Sequence, residues 1–253
     1  MSISIAKKIG FTLLAFGTLG ILLSIFYESN ILTFVCLTLV FWGCLFLLVL
    51  PGKYVRSEVM DHISISGLSN IDQVISDSNV QGKPIYIPVP RDSYLPYHIE
   101  MKHEFVYIPK RNVKMETAIE QAFMKNPKGL RIIPPGLGFA NLIEKKSRQN
   151  LYKLDIHSLT KILPSIITQD LEIANKFNMS YDGNVVHTKI GKSLCEDLHK
   201  EICKLRNLCP NIGCPLCSSI ACILTRITNK PIIIESCSLI KNTVDTTFLI
   251  SED

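Results

Sequence analysis

Four cysteines fall within sixteen residues in "CPNIGCPLCSSIACIL", Cys209 to Leu224. Cys209, Cys214 and Cys217 form a C-x4-C-x2-C pattern, and Cys222 follows. Three chemistries use such a run. Thiolates at C-x2-C spacing hold Zn²⁺, which takes four Cys or His ligands in a tetrahedron. The longer spacing is also that of plant-type [2Fe–2S] sites, completed by a distant fourth ligand. A thiol at a helix start has its pKa lowered by the helix dipole and suits redox exchange. The plain alternative is burial, since the cysteine and alanine of "SSIACIL" are small and fill a core. For a metal, the first-choice set is Cys203, Cys209, Cys214 and Cys217, with Cys237 as the other candidate fourth ligand. Cys195, His199 and Cys203 also recur at i, i+4 and i+8 along one side of a helical stretch.

Other chemistry finds little footing. No Ser-His-Asp constellation, paired-carboxylate signature or HExxH pattern occurs, so no catalytic residue is assigned. His157, His187 and His199 read as surface or core histidines. The Gly136–Gly138 pair could cradle a phosphate, but neither a Walker pattern nor a full dinucleotide fingerprint surrounds it, and a turn is the better reading. "PKRNVK", Pro109 to Lys114, reads as a solvated turn rather than a phosphate-binding patch. The net charge of +5 is too weak, and too evenly spread, for a nucleic-acid partner.

The elements that must hold these residues begin with a membrane anchor. Ile9 to Tyr27 and Ile31 to Leu50 are uncharged, and each reaches the roughly 18–20 residues that cross a bilayer as a helix. Only Glu28, Ser29 and Asn30 separate them, so the pair reads as a transmembrane helical hairpin over residues 1–52 with the lipid bilayer as its partner. Lys7 and Lys8 before it, and Lys53 and Arg56 after it, place both ends in the cytoplasm. Seven of the nine cysteines then lie in reducing surroundings, where disulfides are not the default. Gly17 and Gly20 suit close helix approach.

Residues 53–79 contain "SISGLSNIDQVISDSN" and read as a linker or loose helix. Residues 80–253 read as a cytoplasmic domain. "KPIYIPV" and "HEFVYIP" are strand-like. "METAIEQAF" is a short helix, and "GLRIIPPGLGFANLIEKK" runs strand, turn, helix. "DIHSLTKILPSIITQDLEIANKF" reads as one long helix kinked at Pro164 and capped by Asp155. "MSYDGNVVHTKIG" turns at Asp182–Gly183. "KSLCEDLHKEICKLRN" carries an apolar stripe of Leu194, Leu198, Ile202 and Leu205. "CPLCSSIACILTRITNK" is a buried helix with Pro215 at its first position, and "PIIIESCSLI" and "TVDTTFLI" are a final strand pair. Segregated helices and antiparallel hairpins give an α+β class.

Residues 179–250 resemble the 4-vinyl reductase-type small-molecule-binding domain. "VVHTKIGKS" looks like its first strand, and "CPLCSSIACILTRITNKPIIIES" like its helix and the turn into the next strand. Glu235 and Cys237 match that strand's acidic residue and cysteine, and Phe248 its terminal phenylalanine. "KNTVDT" replaces the family's Gly-Asp turn, and the family's last cysteine is Thr246 or Thr247 here. The whole chain resembles prokaryotic two-span membrane proteins. The resemblance implies a non-catalytic ligand-binding or sensory role and a homodimer; the expected partners are a small apolar ligand and, as the alternative to a homodimer, another subunit of a membrane complex. Phe177, Tyr181, Cys217, Cys222 and Phe248 would line the pocket. The alternatives are a Cys-rich Zn or Fe–S redox protein and an accessory subunit of a membrane complex.

Overall fold

The computed structural model describes residues 3–48, 57–89, 103–147, 150–193, 200–240 and 242–251. The chain divides into two compact units, Met1–Met60 and Asp61–Asp253. The first holds helices α1 (Ile3–Phe26) and α2 (Asn30–Leu48). Both are long and apolar enough to cross a membrane. Their large side chains, among them Phe11, Phe16, Leu22, Phe34 and Phe41, point outward, as lipid allows and water would penalise. The helices meet through small residues: a Cβ at Gly17 would stand 2.6 Å from Val40, and one at Gly20 would overlap the Cys36 sulfur. Near the turn the Ser24 and Thr33 hydroxyls share a hydrogen bond.

The second unit is built on one seven-stranded antiparallel sheet in the order β3-β2-β1-β6-β7-β5-β4. The strands are β1 (Ile85–Ile87), β2 (Phe105–Pro109), β3 (Gly129–Ile132), β4 (Ala174–Asp182), β5 (Val185–Ser193), β6 (Ile232–Ile240) and β7 (Thr243–Ile250). The β4–β5 hairpin turns at Gly183, whose φ of +59° suits glycine. Mixed helices and antiparallel strands agree with the α+β expectation. The halves of the sheet differ in cover. Ile85, Ile87, Phe105 and Tyr107 form a small core under α4 (Met115–Ala122), while Tyr86, Val106 and Ile108 face the main core, so β1 and β2 are buried on both faces. β7 alternates half-buried and buried residues, with Val244, Thr246, Phe248 and Ile250 buried.

Helix α7 (Pro215–Thr228) runs through the main core, and every residue from Leu216 to Arg226 is buried. It packs against α5 (Leu137–Ser147), the turn Leu151–Lys153 and strands β1 and β6. Asn229, in the left-handed conformation, ends it.

Two expectations are corrected. Residues 57–77, read as linker or loose helix, form helix α3 (Ser57–Asp77). Its Leu68 and Ile75 are buried in the main core, and Asp72 accepts the Asn207 and Leu208 amides at 2.8 Å each. The kinked helix is also shorter than expected. α6 (Ile156–Ser165), with the Asp155 carboxylate accepting the Ser158 amide, passes Pro164 into one π-helical turn, Ile166–Asp170. "ANKF", Ala174 to Phe177, then belongs to β4. The turn expected at Gly136 is present, and Gly136 is also a packing point: a Cβ there would overlap the α7 backbone at Ser218 and Ser219 and lie 2.5 Å from the Pro215 carbonyl. That space cannot hold a phosphate. Leu194, Leu198, Cys195 and His199 lie outside the described residues.

Candidate functional site

The start of α7 is set by its own sequence. Gly213, at φ +76°, turns the chain out of the four-residue helical segment Cys209–Ile212. Cys214 is extended and caps α7, its sulfur accepting the Cys217 amide at 3.4 Å. Pro215 follows at the first helical position, where its missing N–H costs nothing. A cap residue and the third helical residue lie on one side of a helix start, so C-x2-C brings its sulfurs together: Cys214 and Cys217 Sγ are 3.4 Å apart.

The sheet supplies the rest. Strict alternation along β6 after Ile234 would turn Ser236 and Ser238 inward and Cys237 outward. A bulge between Ile234 and Ser236 takes up Glu235 as an extra residue. Ser236 then opposes Thr247, and Cys237 opposes Thr246 on the core face. Cys237 Sγ comes to 3.6 Å from Cys217 Sγ, and Thr246 Oγ1 lies 3.2 Å from Cys217 and 3.7 Å from Cys237. Of the two neighbouring threonines, Thr246 is the one beside the thiols; Thr247 lies against His187 at 3.2 Å. One strand further, Thr188 pairs with Thr246. Thr188 is fully buried, and its hydroxyl has no hydrogen-bond partner among the described residues.

The central thiol, Cys217, is held protonated. Hydrogen bonding to Cys214, then to Cys237, and then burial push the Cys217 thiol well above its ordinary pKa. The activated, dipole-lowered thiol expected at a helix start is thereby corrected for Cys217: its sulfur sits in a proton-sharing, water-free setting, and those effects outweigh the dipole.

Of the four first-choice metal ligands, the structure brings together Cys214 and Cys217. Cys203 is exposed and outside the cluster. The side chain of Cys209 lies outside the described residues. Among the described residues no set of three or more His, Cys, Asp or Glu side chains is arranged to hold a metal ion. Both short sulfur contacts belong to Cys217, and their lengths match the roughly 3.5–4 Å between thiolates that share a zinc ion.

Of the expected pocket wall, Phe177, Cys217, Cys222 and Phe248 are buried in one core and Tyr181 packs against it. Tyr181 sets its ring edge-on to His157 at 5.6 Å. Cys222 does not join the thiols. Burial, and then the Glu104 carboxylate, raise its pKa, which places it in a different cluster at the far end of α7. There Arg226 donates from Nε to Glu104 at 2.8 Å, from Nη1 to Glu144 at 2.7 Å and from Nη2 to the Asn141 carbonyl oxygen at 2.6 Å. The Arg226 and Glu104 side chains are 2% and 4% exposed.

Between the two clusters Tyr86 fixes the helix. Its hydroxyl lies 2.7 Å from the Ile212 carbonyl and 2.8 Å from Ser218 Oγ, which accepts the Gly136 amide at 3.0 Å. Sequence reasoning missed Thr188, Thr246 as a site residue, and the whole Arg226 cluster. Alternation along β5 and β7 could have found the two threonines as polar residues on an apolar face. Compared with family models, curated proteins and solved structures, the chain matches none.

Proposed function

We propose that the chain is a membrane-anchored binding or sensory module whose soluble part takes its ligand at the Cys214–Cys217–Cys237–Thr246 cluster. One observation carries this reading. A cluster of thiols and a hydroxyl, beside an unpartnered Thr188 hydroxyl, sits among buried apolar side chains. Such a buried polar atom costs roughly 1–3 kcal/mol and stabilises nothing in the fold, which is the usual mark of a group kept for function. The hairpin holds the module at the bilayer. Lys7, Lys8, Lys53 and Arg56 on its outer flanks, against Glu28 in its loop, favour cytoplasmic ends. The resemblance of residues 179–250 to the 4-vinyl reductase-type domain implies the same kind of role.

A second reading has its own support. The sulfur spacing suits a zinc or iron–sulfur centre once the thiols lose their protons and a further donor arrives. Native mass spectrometry and metal analysis of the full chain in detergent, wild type beside Cys217→Ala, separate the readings. A retained small molecule lost in Cys217→Ala supports the first. Stoichiometric zinc or iron supports the second. A chain carrying neither assigns the cluster to packing.

A further inference from the structure

A cleft of about 650 Å³ opens at the β3 end of the sheet, far along the strand order from the thiols. Four passes of the chain build it: Ser78 and Val80 after α3, Lys110 to Val113 after β2, Gln121 on α4, and Pro127 to Leu130 leading into β3. Backbone hydrogen bonds tie these passes together. The Lys110 amide donates to the Lys128 carbonyl at 3.0 Å, the Gln81 amide to Lys110 at 3.3 Å, and the Gly82 amide to Pro109 at 2.9 Å. Gly129 completes the wall, since any Cβ there would overlap the Ile108 carbonyl and stand 2.7 Å from the Tyr107 hydroxyl.

The lining is one-sided in charge. Lys110, Arg111 and Lys128 all face the cleft, and among the described residues no Asp or Glu lines it. None of the three forms an ion pair among the described residues. Gln121 adds amide donors, because its carbonyl oxygen is turned to the Tyr107 hydroxyl at 3.4 Å. Val80, Val113 and Leu130 give an apolar side. Three like charges gathered in a concave site repel one another and concentrate an anion.

We propose that this cleft binds a phosphate monoester, carried either by a small soluble molecule or by a lipid headgroup. A dianion offsets most of the local charge. Arg111 offers a planar fork to phosphate oxygens, and the lysines act as mobile point charges. The volume lies in the range of ligand pockets, roughly 300–1,000 Å³, and exceeds what bare phosphate fills, leaving room for an organic group against the apolar side.

The test uses the full chain in detergent micelles, with calorimetry and native mass spectrometry. The probes are glycerol 3-phosphate, phosphatidic acid and, as a carboxylate control, succinate. One phosphate probe is expected to bind at least about tenfold more tightly than succinate, with affinity falling as salt rises. Binding of glycerol 3-phosphate identifies a soluble ligand, and binding of phosphatidic acid alone a headgroup; both support the site. The double variant Lys110→Ala/Lys128→Ala is expected to weaken binding about tenfold or more. Gln121→Glu, which adds one negative charge at a half-exposed position and leaves the cations in place, should weaken it too. The proposal is overturned if neither phosphate probe binds, if succinate binds as well, or if Gln121→Glu and the folded double variant bind like wild type.

Discussion

The two ends of helix α7 bury polar groups in opposite ways. At its C-terminal end Arg226 is matched donor for acceptor by Glu104, Glu144 and Asn141. Such a network is tuned to hold α5 and the start of β2 on the helix, and it has no unmet valence. At its N-terminal end thiols share weak hydrogen bonds around Cys217, beside a hydroxyl with none among the described residues. One end is charged and complete, the other uncharged and incomplete. Completeness marks a strut, and the unpartnered hydroxyl is the feature on which the proposed ligand site rests.

The largest way to break this comparison is at the strut. Arg226→Ala leaves the Glu104 carboxylate buried without its cation and is expected to cost about 3–5 kcal/mol, read as a drop in the denaturation midpoint of the soluble unit. Gly136→Ala comes next. Its methyl group must displace the α7 backbone at Ser218 and Ser219, for about 1–3 kcal/mol. Because that push falls one residue from Cys217, it should also perturb thiol reactivity, which Arg226→Ala should not.

Alkaline pH sharpens the contrast further. Cys217, Cys222 and Tyr86 all have raised pKa values in the fold, so each stays protonated where the unfolded chain has begun to ionise. Their contribution is whole below the ordinary thiol value. Above about pH 8.5 each thiol loses up to about 1.4 kcal/mol of stability per pH unit. Melting curves should therefore be flat from about pH 6 to 8 and fall above it, with a shallower fall in Cys217→Ala. Thr188→Val is the subtler test. Removing an unsatisfied hydroxyl while keeping its shape should stabilise the empty module by about 1 kcal/mol and weaken retention of any ligand there. Cys203→Ser, exposed and away from both ends, should change stability by less than about 0.5 kcal/mol.

The sequence showed most clearly what depends on neighbours along the chain. The hairpin, the Asp182–Gly183 turn, the Pro215 start and the Asn229 stop are all local signals. Helix α3 was hidden by its Ser and Asn content, although Ile65, Leu68, Ile71 and Ile75 recur at helical spacing and face the core. The start of β4 was hidden because its residues continue an apolar helical run. The clusters were less legible. Arg226 meets Glu104 across 122 positions, and no spacing rule spans that distance. The Cys214–Cys217 pair was visible as a motif. Cys237 was only one of several candidates for a further ligand, because its facing depends on a backbone irregularity.

That irregularity leaves β6 with one residue of slack. Glu235 is exposed and lies in the bulge, and the residues beyond it already keep step with β7. Excising it would straighten the strand and still leave Cys237 opposite Thr246. Excising one residue nearer the hairpin tip, after Cys237, would leave the sulfur where it is and shorten only the loop end. A single-residue gain ahead of Cys237 has no such refuge: it would swing the sulfur to the outer face and bring a serine against Cys217. Between Ile234 and Cys237 the spacing can contract by one residue without penalty to the site but cannot lengthen by one, so natural length variation in that stretch should run in one direction only.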